Sequence, residues 1–286
     1  MAFAAMSGQT SYGTNVGPVR LQEALRTAAQ KLAAAGVPTP RVDAELLAAF
    51  ILGVPRSRLL LVEGLTEAQA ERFDALVEQR AGRIPLQHLT GTAPFLGLEL
   101  HVGPGVFIPR PETELLARWA IEREPQVVVD LCSGSGALAL AVKTALPKAR
   151  VFAVERSPAA LEWLHRNTAG TGVEVIEGDI RTVDLDVVAD LVVSNPPYVP
   201  SGVEVNAEVE ADPAEAVFAG DDGLDLIPAV IARAAGLLEP GGWFGFEHDD
   251  THIGLKHLLE PEFEEIETHA DLAGRPRYTT AVRRRR

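Results

Sequence analysis

Five consecutive residues carry the clearest chemical potential: Ser194-Asn195-Pro196-Pro197-Tyr198. The two prolines stiffen the backbone and remove two N–H donors. What remains is a set of acceptors, the Asn195 side-chain oxygen and the Pro196 carbonyl, both able to accept from one planar –NH₂ group. That grip turns the face of a nitrogen toward an electrophile. Tyr198 adds an aromatic wall that can stack on a planar group or stabilise developing positive charge. An amide or exocyclic amine nitrogen is a poor nucleophile because its lone pair is delocalised. Binding helps by fixing the line of attack and excluding water. Acceptors aimed at its two N–H bonds gain strength as the nitrogen becomes positive. Taken alone, Asn195 to Tyr198 reads equally well as a rigid surface turn.

A second group lies upstream. Asp130, near the end of the apolar run Val127 to Leu131, and Cys132, Ser133, Gly134, Ser135 and Gly136 after it precede the helix-forming stretch Ala137 to Leu146. Glycines there let the chain turn sharply and let a ligand approach the backbone. Glu155 closes the next apolar run, 21 residues after Gly134, where a carboxylate can accept from ribose hydroxyls. Asp179, in Gly178-Asp179-Ile180, stands after a third run, where an acceptor can meet an adenine amino group; a turn aspartate is an equal reading. The loop also satisfies the dinucleotide pattern GxGxx(G/A). On spacing alone, NAD and a methyl-donor nucleoside remain open.

These residues need strands and helices to position them. From Gln126 onward apolar runs alternate with helices: strands at 127–131, 151–154, 173–176, 191–194 and 243–247, helices at 137–146, 158–168 and 226–238. That alternation predicts an α/β domain with parallel strands and helices on both faces. The segment 263–282 reads as two closing strands around Gly274-Arg275-Pro276. Residues 19–83 instead read as helices only. Leu21, Leu25, Ala28 and Leu32 share a face, a second helix spans 41–52, and Thr66 with Gln69 caps a helix over 67–81. The expected organisation is a helical bundle over 1–84, a Pro- and Gly-punctuated hairpin linker over 85–110 and the α/β domain over 111–286. The first 17 residues are expected to be mobile.

Composition narrows the function. The 286 residues carry a net charge of −14, spread as +1 over 1–90 and −15 over 91–286. Such a field repels a phosphate backbone, so direct nucleic-acid binding is not expected. The sole cysteine, Cys132, excludes an internal disulfide and fits a reducing cytoplasm. Neither a membrane span nor an export signal is legible. His248, His252 and His257, near Asp249 and Asp250, have spacings a metal site could use, but a capped helix start explains them, and no metal is expected. The acidic stretch 204–225 and the run Arg283 to Arg286 read as a solvated loop and a solvated tail.

The combined motifs resemble class I S-adenosylmethionine-dependent methyltransferases that act on planar –NH₂ nitrogen. Phe107-Ile108-Pro109-Arg110-Pro111-Glu112-Thr113-Glu114 is more discriminating. It is similar to the signature ahead of the catalytic domain in release factor glutamine methyltransferases of the PrmC/HemK type. Pro85 to Gly91, Gly220 to Asp225 and Phe246-Glu247-His248 are also similar to family motifs, and the likeness spans roughly residues 20–280.

The resemblance implies a Rossmann-like, mostly parallel sheet of seven strands with a small N-terminal helical domain. It implies methyl transfer to the side-chain amide nitrogen of the glutamine in the Gly-Gly-Gln loop of peptide chain release factors. S-adenosylmethionine would be the donor and S-adenosylhomocysteine the product. Cys132 to Gly136 would line the methionine part of the donor, Glu155 would hold the ribose, and Asp179 with Ile180 would flank the adenine. Phe107 and Arg110 would wall the site. Asn195, Pro196, Pro197 and Tyr198 would hold the glutamine amide. The helical domain would dock the release factor, and the enzyme would act as a monomer. Cys132 stands where many relatives carry Gly, and Ile180 where some carry an aromatic ring. A ribosomal-protein glutamine methyltransferase, an adenine-amine methyltransferase and a non-catalytic binding module are the alternatives.

Overall fold

The computed structural model describes residues 19–252 and 254–285; the first 17 residues, expected to be mobile, lie outside the described residues. The chain divides into two compact units, residues 1–83 and 84–286.

In the first unit, α1 (Leu21–Ala34), α2 (Pro40–Leu52) and α3 (Glu67–Ala81) enclose a core of Leu21, Leu25, Leu32, Leu47 and Phe73. Pro40 starts α2 with its φ already set, and Gly53 ends it in the left-handed region at φ 63°. Thr66 and Gln69 form the reciprocal cap of α3. Buried among the apolar groups, Arg80 Nε donates to Asp43 Oδ2 at 2.7 Å, while Thr39 Oγ1 donates to Asp43 Oδ1 at 2.7 Å. The helices-only expectation needs one correction. Val19–Arg20 (β1) pairs antiparallel with Gly64–Leu65 (β2), because the chain entering α1 runs beside the chain entering α3.

The second unit opens with a short helix α4 (Leu86–Thr90) and a hairpin, β3 (Thr92–Phe95) with β4 (Leu98–His101). This segment is built into the unit. Phe95 and Leu100 join a core cluster, and Asn167 clasps His101 through its backbone N–H and carbonyl at 2.8 and 2.9 Å.

The seven-stranded sheet contains β5 (Val127–Leu131), β6 (Arg150–Glu155), β7 (Val173–Glu177), β8 (Ala189–Ser194), β9 (Leu238–Glu247), β10 (Phe263–Ala270) and β11 (Pro276–Arg283), in the order β10-β11-β9-β8-β5-β6-β7. Strands β5 to β9 are parallel, and β11 runs antiparallel between β9 and β10. One apolar layer packs α5 (Thr113–Glu122), α6 (Ala137–Ala145) and α7 (Pro158–Thr168) on the sheet; the other packs the helix Ile227–Leu237. The central strands β5, β6 and β8 are buried on both faces, which is why they read as continuous apolar runs. Strand order reverses at β5, with β6 on one side and β8 on the other. A crevice opens there, outside the carboxyl ends of the strands.

The acidic stretch is not a free loop. It contains α8 (Ala207–Glu210) and α9 (Ala214–Val217), and Val199 bridges to Phe218. The basic run is also partly committed. Arg283 donates to Ala235 O at 3.0 Å and to Glu262 O at 2.8 Å, and Arg284 donates to Glu260 O at 3.0 Å.

Candidate active site

Every expected site residue except Gly136 lines one cleft of about 560 Å³, within the range of small-molecule sites. The β5–α6 loop forms its floor. Gly134 (φ 55°) has open space where a Cβ would stand, so the backbone there is accessible to a ligand. Gly136 serves packing instead: a Cβ would lie 2.7 Å from Leu164 Cδ1, so its absence lets the loop settle against α7. Cys132 adopts φ 63°, in the left-handed region, and its side chain packs into the apolar layer below the sheet. Burial pushes its thiol far up, with the charges of Glu155 and Asp130 adding to the rise.

Asp130 is buried at the end of β5. Its Oδ2 accepts from Ala139 N at 3.1 Å, while Oδ1 has no partner. Burial pushes the carboxyl up to about 7, the neighbouring Glu155 raises it further, and the bonds from Ala139 and Ser133 oppose the rise. An orphaned buried acceptor beside an open loop fits a ligand that brings a donor, such as an ammonium group. Glu155 ends β6. Its Oε2 accepts from Gly134 N at 2.8 Å and its Oε1 from Arg156 N and Ser157 N at 2.8 Å. These bonds aim the carboxylate, and Oε2 keeps a lone pair for a hydroxyl.

Asp179 lies on the cleft wall, but Arg181 grips it. Arg181 Nε donates to Oδ1 at 2.9 Å and a terminal nitrogen to Oδ2 at 2.6 Å, which holds the carboxyl well below its usual range. Ile180 is buried beside it. Arg233 fixes this turn by donating to Ile180 O and Val183 O at 2.6 Å.

Opposite, Arg110 lies 5.0 Å from the Phe107 ring centre and pairs with the buried Asp212 of the acidic stretch. Asp212 also accepts from Ile108 N at 3.1 Å. Burial raises Asp212 to about 6 against the pull of Arg110 and that bond. Asp212 therefore ties two cleft walls together, a role its place in a run of acids did not reveal.

The loop after β8 brings Asn195, Pro196, Pro197 and Tyr198 onto the same cleft. Asn195 Nδ2 donates to Thr113 Oγ1 at 3.2 Å; Thr113 Oγ1 donates to Glu247 Oε2 at 2.6 Å; Tyr198 OH donates to Glu247 Oε1 at 3.1 Å. Glu247 is 1% exposed. Burial pushes it up to about 7, opposed by those two bonds and by Arg277, with Glu112 adding to the rise. Burial and Glu247 together keep the Tyr198 phenol neutral. Sequence reading noticed Glu247 and Thr113 only as parts of motifs; their pairing spans 134 residues. Among the described residues, no group of three or more His, Cys, Asp or Glu side chains is arranged to hold a metal.

Comparison with known proteins gives the family. Residues 23–91 match the PrmC N-terminal domain, and residues 98–212 match the methyltransferase small domain. The release factor glutamine methyltransferase of Mycolicibacterium smegmatis is 51% identical over 92% of this chain and 98% of its own length. The chain belongs to the release factor glutamine methyltransferase family. A second member, the release factor glutamine methyltransferase of Mycobacterium leprae, is 44% identical over 93% of this chain and 98% of its own. The hMettl16 catalytic domain, solved in complex with MAT2A 3′UTR hairpin 6, has a TM-score of 0.53 at 14% identity, covering 78% of this chain and 84% of that one. At that identity the likeness shows the fold alone. The family assignment agrees with the expected α/β methyltransferase architecture.

Proposed function

We propose that this chain transfers a methyl group from S-adenosylmethionine to the side-chain amide nitrogen of the glutamine in the Gly-Gly-Gln loop of peptide chain release factors. One observation supports the reading: Asn195 and Pro196 line the same cleft as Gly134, Glu155 and Asp130, whose Oδ1 has no hydrogen-bond partner. The names of the most similar relatives supply the substrate class.

Bound in the cleft, S-adenosylmethionine supplies an electrophilic methyl on a sulfonium sulfur. Asp130 Oδ1 has the free acceptor its ammonium requires, Glu155 can accept from its ribose, and Ile180 offers an apolar face to its adenine. Asp179 is already neutralised by Arg181, so its part in the adenine pocket is to shape the turn and not to offer a free charge. Phe107 and Arg110 wall the opposite side. Asn195 Oδ1 and the Pro196 carbonyl accept the two N–H bonds of the glutamine amide and hold its nitrogen on line. As positive charge develops on that nitrogen, its N–H groups become stronger donors to the same two oxygens; the methyl would leave sulfur with the bonding pair staying on sulfur, and the nitrogen would then shed one proton to solvent. Pro197 keeps the loop rigid, and Tyr198 excludes water beside it.

The test is mass spectrometry of a release factor incubated with the protein and S-adenosylmethionine. One added methyl on the Gly-Gly-Gln glutamine, lost in Asn195→Ala while S-adenosylmethionine still binds, is the expected result. Methylation of duplex adenine, or of a ribosomal-protein glutamine in place of the release factor, would replace the reading.

A further inference from the structure

The orientation of the Asn195 amide matters, because only its oxygen can serve a substrate –NH₂ group. Its oxygen and nitrogen are nearly the same size, so shape does not prevent a half-turn about the last side-chain bond. Hydrogen bonding can. A hydroxyl has one proton and two lone pairs, and an ionised carboxylate only accepts. The Thr113 hydroxyl touches both Glu247 Oε2, at 2.6 Å, and the Asn195 amide, at 3.2 Å. With Glu247 ionised, the single Thr113 proton is committed to Glu247. Thr113 then has only lone pairs to offer Asn195, which must answer with its NH₂. The Asn195 oxygen is thereby sent to the other side.

We propose that Glu247 is a positioning residue that acts through Thr113 to hold the Asn195 side-chain oxygen toward the substrate amide. The inference rests on the reading of Asn195 as an amide acceptor. The chain Glu247–Thr113–Asn195 lies at the site itself: all three residues line the cleft, and Thr113 is 2% exposed. Glu247 also receives the Tyr198 phenol, so one carboxylate sets both ends of the substrate loop. Remove the Thr113 hydroxyl and the amide loses the partner that distinguishes its two orientations. A flipped Asn195 would set its own NH₂ against that of the substrate, donor against donor.

Thr113→Val and Thr113→Ser separate this from simple packing. Single-turnover transfer from S-adenosylmethionine to a release factor gives the rate, and calorimetry gives cofactor affinity. Thr113→Val is expected to lower the rate at least about tenfold, the loss of roughly one oriented hydrogen bond, with cofactor affinity within about twofold of wild type. Thr113→Ser keeps the proton and is expected to recover most of the rate. A Thr113→Val rate equal to wild type, or a Thr113→Ser rate as low as Thr113→Val with cofactor binding intact, overturns the proposal. Should Thr113→Val lose its folded state in thermal denaturation, Glu247→Gln decides instead: an amide there can donate to Thr113 and free its proton. A rate at least about fivefold lower with cofactor binding retained supports the proposal, and an unchanged rate overturns it. Failure of the wild-type protein to methylate any release factor would sink the amide-acceptor reading itself, a separate result.

Discussion

At the scale of single residues, the cleft is defined by carboxyls taken out of water. Glu247 shows the consequence for pH. Its ordinary value of 4.5 is raised to about 7, with Tyr198 and Thr113 donating to it, Arg277 opposing the rise from β11 and Glu112 adding to it from the approach to α5. Two effects follow with opposite signs. The stability linked to its protonation is complete below about 4.5 and is lost as pH rises through about 7, so denaturant titrations should show Glu247→Gln gaining on wild type as pH increases from 5 to 8. Transfer, which needs the ionised form, should fall as pH drops through about 7, and Glu247→Gln should flatten that limb of the rate profile. Cys132 carries a different strain. A side chain at φ 63° costs about 1–2 kcal/mol, and a β-branched one more. Cys132→Val is expected to lower unfolding free energy by about 1–2 kcal/mol beyond any Cys132→Gly effect, measured by chemical denaturation. The thiol, held protonated by burial and two nearby carboxyls, should react slowly with alkylating reagents at pH 8 until the protein unfolds.

At the scale of elements, most strands and helices were legible because their signals are local. The helix at 67–81 is bounded by Thr66 and Gly82, and the strand at 127–131 by its apolar run and the glycines after it. What stayed hidden depends on pairs far apart in the chain. No pattern around residue 212 says that its carboxylate will be buried under Arg110, and nothing near Thr113 names Glu247. Likewise β9 begins at Leu238, earlier than the apolar run at 243 indicated. The neighbouring β8 accepts it there across a register shift that sequence does not encode locally. Gly223, in the motif 220–225, marks one such close approach. At φ 76°, a Cβ there would lie 2.3 Å from the Tyr198 carbonyl oxygen. Gly223→Ala must push the substrate loop aside. Its expected signature is methyl transfer reduced at least about tenfold while S-adenosylmethionine affinity, set across the cleft by Glu155 and Gly134, stays near wild type. An unchanged rate would show that the loop yields without consequence.

At the scale of the whole molecule, the two units differ in how they hold together. The second has a double-layered apolar core around its sheet; the first is smaller and places an ion pair, Asp43 with Arg80, inside its three helices. Removing one partner of a buried pair withdraws the counter-charge facing the other, a loss of up to about 3–5 kcal/mol. Asp43→Ala should therefore lower the melting of the helical unit. Cofactor affinity should persist, because all residues lining the cleft belong to the second unit. A loss of cofactor binding in parallel would contradict that separation. The position of β11 has one more consequence. Most of the sheet's interior is laid down in order, but β11, made after β10, must slot between β10 and β9 and delivers Arg275 and Arg277 to the cleft from its leading end. During folding, a chain that has formed β9 and β10 therefore keeps an open seam until β11 pairs with both. The antiparallel margin of the sheet, and two arginines of the cleft with it, thus depend on a strand made after both of its neighbours.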